Sequence, residues 1–325
     1  MYIVTGAAGF IGSAIVWQLN REGITDILIV DSLGTDEKWK NLVNLKYIDF
    51  IDKKEFLQRV EDRAHFGNLE AVIHMGANSS TTERDADHLM ENNYRYTRVL
   101  AEYSLMKDAR FVYASSAATY GDGEMGFEDA DENCLKIKPL NMYGYSKNRF
   151  DQWAYLTGNL KKIAGVKYFN VYGPNEGHKG DMRSVVHKAY GQIKDTGKVT
   201  LFKSLHPDYK DGEQMRDFVY VKDAVNMTLH LVRNPEHNGL FNLGQGKART
   251  WNDLVNAIFA AMNLEPKIEY IDMPDYLAPK YQYFTQADLS KIIATGYTQP
   301  LHTLEEGVTD YVKNYLLTGK FLGEG

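Results

Sequence analysis

Short apolar runs alternate with longer amphipathic stretches along the first half of the chain. Tyr2-Ile-Val-Thr5 comes first, and a helical pattern through Ile15, Val16 and Leu19 follows it. Further runs of this kind are Asp26 to Val30, Ala71 to His74 and Arg110 to Ala114, and residues 83–106 carry a long helical pattern. Runs that are apolar at nearly every position are typical of parallel strands buried on both faces. The pattern predicts an α/β fold with a doubly wound parallel sheet.

A glycine-rich turn joins the first strand to the first helix. Gly6-Ala-Ala-Gly9-Phe-Ile-Gly12 stands between them, which is the context that a dinucleotide-binding turn requires. Gly6 allows a tight turn, Gly9 lets a pyrophosphate approach the backbone, and Gly12 lets the helix pack closely on the strand. The helix N-terminus offers free N–H groups to the phosphates.

The second strand ends at an acid, Asp31. A carboxylate at this place ordinarily binds the ribose hydroxyls of adenosine and favours NAD. Lys38 follows a few residues later, where it could pair with a 2′-phosphate and so favour NADP. The residues alone leave the choice between NAD and NADP open.

Ser116, Tyr143 and Lys147 form a candidate acid–base set. Ser116 stands at the carboxyl end of a strand, the edge at which open parallel sheets bind ligands. Tyr143 and Lys147 are four residues apart, so they share one helical face. We expect Ser116 to bind the substrate oxygen, Tyr143 to transfer a proton, and the Lys147 ammonium, helped by the positive ring of an oxidised nicotinamide, to lower the tyrosine pKa. His74 is interpreted as a packed strand residue.

Composition excludes several other classes of protein. The 325 residues carry a net charge of −6, which argues against nucleic-acid binding. Cys134 is the single cysteine, so neither an intrachain disulfide nor a cysteine-rich metal cluster is expected. No apolar run is long enough to span a membrane, and the first residues lack a signal-peptide pattern. We expect a cytoplasmic enzyme without a metal.

Several motifs resemble the extended branch of the short-chain dehydrogenase/reductase superfamily, whose members act on nucleoside-diphosphate sugars. The glycine turn, the strand-end serine and the Tyr–Lys pair occur in the order that this branch uses. Within the branch, the chain resembles the ADP-heptose 6-epimerases. The stretches that carry this resemblance are Gly76 to Glu83, Ala114 to Gly121, Pro139 to Lys147, Glu176-Gly-His-Lys-Gly180 and Tyr281 to Asp288.

The resemblance implies NADP as the cofactor, with Lys38 on the 2′-phosphate and NAD as the less favoured alternative. The cofactor-side residues expected from motif and resemblance together are Gly6, Gly9, Phe10, Ile11, Gly12, Asp31, Ser32, Lys38, Lys53, Met75, Gly76, Ala77, Asn78, Ser79, Asn92, Tyr143, Lys147, Val171 and Lys179.

On the substrate side the resemblance implies an ADP-heptose that is inverted at C6″ through a transient 6″-ketone. The expected contacts are Ser116, Asn170, Asp181, Lys188, Phe202, Arg216 and Tyr281. Asp181 and Lys188 depart from the serine and histidine usual in the family, and the loop 204–213 is longer than usual. Arg216 is expected to bind the substrate diphosphate, because a planar guanidinium can bind two of its oxygens at once, and a plain salt bridge to Asp217 or Asp223 is the alternative.

A second proton donor is needed once the ketone turns its other face to the nicotinamide. Lys179 is the candidate, because it lies in the glycine-flanked loop Gly177-His-Lys-Gly180. A lysine shifts its pKa readily when partly desolvated, so it can donate and accept protons near neutral pH. His178 is the rival donor, expected to point away, and phosphate binding is the alternative role for Lys179.

The resemblance also predicts the division of the chain. Residues 1–168, with about 217–243 and 281–298, would form the NADP-binding Rossmann domain. Residues 169–216, 244–280 and 299–325 would form a smaller interleaved α/β substrate domain. The same resemblance suggests a homo-oligomer, a pentamer or similar, with no nucleic-acid or membrane partner.

Three other functions are compatible with this fold. A sugar-nucleotide 4,6-dehydratase needs an Asp-Glu pair directly after the strand-end hydroxyl residue, and Ala117-Ala118 stand there instead. A UDP-hexose 4-epimerase shares the serine, tyrosine and lysine, so it is the closest alternative. A non-catalytic dinucleotide sensor would not need those three residues.

Overall fold

The computed structural model describes residues 1–275 and 281–324, and its central element is a seven-stranded parallel sheet. Its strands are β1 (Tyr2–Thr5), β2 (Ile27–Asp31), β3 (Asp49–Asp52), β4 (Ala71–His74), β5 (Arg110–Ser116), β6 (Ala164–Tyr168) and, later in the chain, β10 (Gly239–Leu243). The strand order is β10-β6-β5-β4-β1-β2-β3, and every neighbouring pair is parallel. The predicted doubly wound α/β fold is confirmed.

Helices cover both faces of this sheet. They are α1 (Phe10–Arg21), α2 (Lys53–Glu61), α3 (Ala86–Leu89), α4 (Tyr96–Met106), α5 (Met142–Leu156) and, later in the chain, α7 (Val221–Arg233). Alternate residues of a strand point to opposite faces. Ile3 therefore joins a core with α2, α4 and α5, whereas Val4 joins a core with α1 and α7.

A smaller α/β part lies beyond the carboxyl edge of the sheet. It contains β7 (Asn170–Tyr172), α6 (Val185–Thr196), β8 (Val199–Phe202), β9 (Met215–Tyr220), β11 (Ala248–Thr250), α8 (Trp251–Ala261), β12 (Ile268–Ile271) and α10 (Leu304–Tyr311), whereas α9 (Ser290–Ala294) packs against the large sheet. Strands β11, β9 and β7 form one sheet, and β12 and β8 form another.

The structure distributes the later segments between the two parts. Helix α7 and strand β10 pack on the large sheet, and α9 contacts β10. Strand β9 instead pairs with β7 and β11 in the three-stranded sheet. Of the residues assigned above to the substrate domain, 276–280 and 325 lie outside the described residues.

Three further observations concern the described residues. None of their helices is long and apolar enough to cross a membrane. They contain no group of three or more His, Cys, Asp or Glu side chains that could hold a metal ion. Cys134 is a buried free thiol.

His74 is held as a neutral ring inside the large sheet. Its Nδ1 lies 2.6 Å from Thr5 Oγ1 and its Nε2 lies 2.9 Å from Thr97 Oγ1. Thr97 donates its own hydrogen to Asn93 O, so Nε2 of His74 must carry the proton that binds Thr97. Burial, with a smaller effect of the Lys147 ammonium, lowers the pKa of His74 to about 3. The residue is structural, as expected.

We therefore predict that the His74 ring stays neutral, with hydrogen on Nε2, from pH 7 down to about pH 4. Because the ring binds a proton more readily in the unfolded chain, it stabilises the fold above its ordinary pKa. That contribution is lost as pH falls toward 3, at about 1.4 kcal/mol per pH unit. Imidazole ¹⁵N NMR, assigned with His74→Gln, measures the protonation directly, and a midpoint near 6.5 would contradict this account.

Two glycines in the two parts of the protein should respond oppositely to an added methyl group. On β6, a Cβ at Gly165 would lie 2.4 Å from the Tyr113 hydroxyl oxygen, whereas on α6 a Cβ at Gly191 would meet nothing within 4 Å. Gly165→Ala should lower the free energy of unfolding by about 1–3 kcal/mol through overpacking. Gly191→Ala should raise it by about 0.5–1 kcal/mol through helix propensity. Urea denaturation gives both values, and equal effects would refute the packing at β6.

Candidate active site

A cleft of about 780 Å³ runs along the carboxyl edge of the large sheet, facing the smaller part. Parallel strands bring their carboxyl ends to one edge, so residues distant in sequence meet here. All of the residues expected on the cofactor side line this cleft, from Gly6 in the first turn to Lys179. Ser116 and Asn170, expected on the substrate side, line it too.

The glycine turn forms a cradle in which side chains would not fit. Gly6 has φ +66°, and a Cβ there would lie 2.6 Å from Gly76 N. A Cβ at Gly12 would lie 2.0 Å from Gly6 O. Gly9 caps α1 without a side-chain bond, so the first N–H groups of the helix remain available to an anion. This turn fits the pyrophosphate of a dinucleotide.

Asp31 and Lys38 form an ion pair at the adenosine end of the cleft. Lys38 Nζ lies 2.9 Å from Asp31 Oδ1. The carboxylate also accepts hydrogen bonds from the backbone N–H groups of Ala8, at 2.8 Å, and Ser32, at 2.7 Å. One group that can bind ribose hydroxyls and one that can bind a phosphate therefore lie side by side.

Ser116, Tyr143 and Lys147 meet at the middle of the cleft. Ser116 Oγ accepts a hydrogen bond from the backbone N–H of Ala118 at 3.1 Å, and the serine side chain acts on the Tyr143 hydroxyl in the direction that favours the phenolate. Lys147 is 4% exposed, and its Nζ donates to the backbone oxygen of Ala114 at 2.8 Å. The predicted sharing of one helical face by the tyrosine and the lysine is present, because both lie on α5 within Met142–Leu156.

The pKa values of this set differ from the expectation in one respect. Burial raises the pKa of Tyr143, and the Ser116 side chain opposes that rise only in part. Burial also lowers the pKa of Lys147 to about 8, against the opposing effect of the Asp151 carboxylate. The expected lowering of the Tyr143 pKa is not seen in the protein alone, because burial of the phenol dominates and the Lys147 ammonium donates to the Ala114 carbonyl; the lowering expected with an oxidised nicotinamide beside the phenol stays a prediction.

Lys179 projects from the turn Gly177–Met182 into the same cleft. Its Nζ lies 5.5 Å from the centre of the Phe10 ring and forms no hydrogen bond or ion pair within the part of the chain that the structure describes. Burial lowers the pKa of Lys179, while the Glu176 carboxylate opposes the change. His178 does not point away as expected. It lines the cleft, with Nδ1 3.3 Å from Asn41 Nδ2.

The turn that carries Lys179 is fixed at two buried residues. Asn175 has φ +74°, and its side chain bonds Ser13 Oγ at 3.0 Å and the backbone N–H of Leu322 at 3.0 Å. Glu176 is 1% exposed and accepts hydrogen bonds from the hydroxyl and the backbone N–H of Ser184. The lysine is therefore presented from a rigid base.

Arg216 is held away from the cleft. Its guanidinium donates to the backbone oxygens of Met215, at 2.8 Å, and Gln282. It packs between the rings of Trp251 and Tyr281, 5.6 and 5.3 Å from their centres. Because of these contacts, Arg216 could bind a diphosphate in the cleft only after its side chain adopted a different conformation.

The alternative salt bridges of Arg216 are absent. Asp217 instead accepts the backbone N–H groups of Gln245 and Gly246, and Asp223 pairs with His302 at 2.7 Å.

Four further residues expected on the substrate side do not line the cleft. Asp181 and Lys188 are exposed, Phe202 ends β8, and the Tyr281 hydroxyl accepts a hydrogen bond from Trp251 Nε1 at 2.9 Å. Conversely, the cleft contains residues that no motif indicated, among them Thr5, Asp36, Tyr96, Met182, Phe218, Trp251 and Leu254. The strand-end rule would have found Thr5, but Phe218 and Trp251 enter only through the folding of the smaller part.

Comparison with known proteins places these features in a family. The NAD dependent epimerase/dehydratase family matches residues 2–244. An ADP-L-glycero-D-manno-heptose-6-epimerase of Nitratidesulfovibrio vulgaris is 60% identical over 97% of this chain and 98% of its own length. The enzyme of that name from Fusobacterium nucleatum is 50% identical over 97% of this chain and 98% of its own.

Solved structures agree. The crystal structure of Helicobacter pylori ADP-L-glycero-D-manno-heptose-6-epimerase superposes with a TM-score of 0.80 at 29% identity, covering 96% of this chain and 95% of that one. The UDP-N-acetylglucosamine 4-epimerase of Methanobrevibacter ruminantium M1 shares the fold, with a TM-score of 0.82 at 22% identity over 98% of each chain. The chain belongs to the NAD dependent epimerase/dehydratase family, in the group of the ADP-L-glycero-D-manno-heptose-6-epimerases.

Proposed function

We propose that the protein interconverts ADP-D-glycero-β-D-manno-heptose and ADP-L-glycero-β-D-manno-heptose by inverting C6″, a step in making the heptose of the lipopolysaccharide inner core. Relatives of 44–60% identity over nearly the whole chain carry this activity in their names. The observation that carries the mechanism is a pair of proton-transfer groups on one cleft. Tyr143 with Ser116 lies on the sheet edge, and Lys179 projects from the turn of the smaller part.

The cofactor is a nicotinamide dinucleotide, which supplies hydride removal and return at a sugar carbon. The cradle of Gly6, Gly9 and Gly12 would hold its pyrophosphate, and Lys147 would hold the nicotinamide ribose. We propose NADP as the physiological form, with Lys38 released from Asp31 to bind the 2′-phosphate. Lys53, whose Nζ donates to Asn92 Oδ1 at 2.9 Å, lines the same cleft and would add a second positive charge.

Oxidation and re-reduction at C6″ avoid the ionisation of an unactivated C–H bond. Tyr143 accepts the proton of the 6″-hydroxyl while Ser116 holds the oxygen, and a transient 6″-ketone forms. The phenolate requires nearby positive charge to offset its burial, and Lys147 one helical turn away supplies part of it. The ketone then turns to present its other face.

Lys179 gives its proton to the oxygen in this second orientation. A lysine whose pKa is lowered by burial can donate and accept protons near neutrality. Because the interconversion is reversible, the two groups exchange roles for the opposite epimer, and proton exchange with water restores them between turnovers. Arg216 would bind the diphosphate after leaving the carbonyl oxygens of Met215 and Gln282.

Three coarser proposals complete the assignment. The large sheet with its helices would be the dinucleotide-binding domain, and the smaller α/β part would enclose the sugar nucleotide. We propose a cytoplasmic location and a homo-oligomer, a pentamer or similar. The proposed oligomer rests on the resemblance to the family.

Replacing either proton-transfer group should stop epimerisation. Tyr143→Phe and Lys179→Met should each lower kcat by about 10²–10⁴-fold, the range for general acid–base groups. The matched controls Tyr145→Phe and Lys194→Met change exposed residues of the same kind and should stay within a few-fold of the parent. Conversion of ADP-D-glycero-β-D-manno-heptose to its L-glycero epimer is followed by NMR. Full activity of Lys179→Met would end the two-base mechanism, and turnover of UDP-hexoses alone would end the substrate assignment.

The choice of dinucleotide tests a different residue. Lys38→Ala should weaken NADP binding by at least about tenfold more than NAD binding, because it removes a charge-assisted bond to phosphate. Lys40→Ala is the control, since Lys40 lies two residues away and pairs with Glu37. Titration of cofactor-free protein with each dinucleotide measures both affinities. Equal losses for NADP and NAD in Lys38→Ala would remove Lys38 from the 2′-phosphate.

A further inference from the structure

The face of α5 that carries Tyr143 and Lys147 continues to a third polar residue, Asp151. The three are spaced four residues apart, so they lie along one side of the helix. Asp151 is 0% exposed and lies behind the cleft instead of lining it. The proton-transfer steps above make no use of this buried carboxylate.

Asp151 ties the helix to the two neighbouring strands that end at the cleft. Its Oδ1 accepts a hydrogen bond from the Tyr113 hydroxyl at 2.8 Å. Its Oδ2 accepts one from Ser115 Oγ at 2.7 Å and one from Lys167 Nζ at 2.8 Å. Tyr113 and Ser115 belong to β5, and Lys167 belongs to β6. Among the salt bridges of the described residues, Asp151–Lys167 is the one in which both side chains are 2% exposed or less.

Lys167 continues the connection to the strand-end serine. Its Nζ donates to Thr119 Oγ1 at 2.7 Å, and Thr119 donates to the backbone oxygen of Ser116 at 2.7 Å. Ser115, the residue before Ser116, is bonded directly to the Asp151 carboxylate. The position of Ser116 is therefore fixed from both sides by one buried charge pair.

We propose that the Asp151–Lys167 pair is a positioning device for the acid–base groups. It fixes the carboxyl end of β5, with its serine, against the tyrosine–lysine face of α5. The inference rests on the proposed function, because it gives the pair a role in that same reaction. Asp151 and Lys167 do not touch the cleft and act through Ser116 and Lys147.

The charge of Asp151 also acts on the buried lysine of the set. It is the one charged group that opposes the lowering of the Lys147 pKa by burial, and the two effects leave that pKa at about 8. The other titratable groups packed around Asp151 and Lys147 are Tyr143, Tyr113, Tyr120, Lys167, His74 and Cys134. His74 stays neutral, and burial raises the pKa values of the tyrosines and the thiol, so Lys147 is the group expected to titrate near pH 8.

A buried ion pair can also be purely structural, and the experiment separates the two roles. Breaking such a pair from one side leaves an unpaired buried charge, whereas replacing both partners is often tolerated. The variant is therefore Asp151→Asn with Lys167→Met. The matched control is Asp310→Asn with Lys222→Met, which removes the pair at 2.6 Å outside the cleft.

The Lys147 pKa is measured by NMR of ¹³C,¹⁵N-lysine-labelled protein, assigned with Lys147→Met. We expect the double variant at positions 151 and 167 to lower this pKa measurably, because it removes the Asp151 carboxylate that opposes the effect of burial. The alkaline limb of kcat should move to lower pH by the same amount, with KM within a few-fold of the parent. The control pair should move neither quantity. An unchanged lysine pKa and alkaline limb in the folded double variant would overturn the proposal.

A milder variant decides the question if the double variant does not fold. Ser115→Ala keeps both charges and removes the hydroxyl that joins β5 to the carboxylate. It should lower kcat by about tenfold through misplacement of Ser116, with KM, dinucleotide affinity and the Lys147 pKa unchanged. An unchanged kcat would overturn the positioning role. The NMR arm needs no sugar nucleotide, so it remains decisive if the parent fails to epimerise ADP-heptose, an outcome that would count against the proposed function alone.

Discussion

The parallel direction of all seven strands in the large sheet is the constraint on which the site depends. Because neighbouring strands share one direction, every strand ends at the same edge. The first strand delivers the glycine turn there, β2 delivers Asp31, and β5 delivers Ser116. The smaller part adds Lys179 from above this edge. Each contribution would be useless if a strand reversed, since its terminal residue would then face the opposite side of the sheet.

Burial governs the chemistry of the cleft. Desolvation lowers the pKa of both Lys147 and Lys179. A carboxylate opposes the change in each case, that of Asp151 for Lys147 and that of Glu176 for Lys179. The net effect in both lysines is a pKa below the ordinary value. The tyrosine responds in the opposite sense, because burial favours its neutral form.

The sequence predicted the elements that have a local signature. The glycine turn, the strand ends and the Tyr143–Lys147 spacing depend on a few consecutive residues, and the structure has all of them. The domain division and the roles of the site residues remain predictions. Contacts that depend on the folding of the smaller part could not be predicted from the sequence, and the place of Trp251 in the cleft is one of them. Arg216 shows the same limit, since its sequence context indicates a phosphate ligand but not the carbonyls that hold the guanidinium away from the cleft.

The expected lowering of the Tyr143 pKa is not seen in the protein alone because the phenol is buried. Spacing on a helix brings Tyr143 and Lys147 to one face, but it does not say how deeply that face is buried. In the protein alone, desolvation is the largest effect on both groups, raising the pKa of Tyr143 and lowering that of Lys147. Sequence spacing therefore predicts which groups meet, whereas the structure is needed to say in which direction their protonation moves.

The central claim is that C6″ is inverted by removal and return of the same hydrogen, with Tyr143 and Lys179 handling only hydroxyl protons. The most direct measurement is conversion of ADP-D-glycero-β-D-manno-heptose by the purified protein in D₂O, followed by NMR and mass spectrometry of the L-glycero product. The account predicts an epimer that retains ordinary hydrogen at C6″. Deuterium at C6″ of the product would contradict it, because the carbon would then have exchanged its hydrogen with solvent.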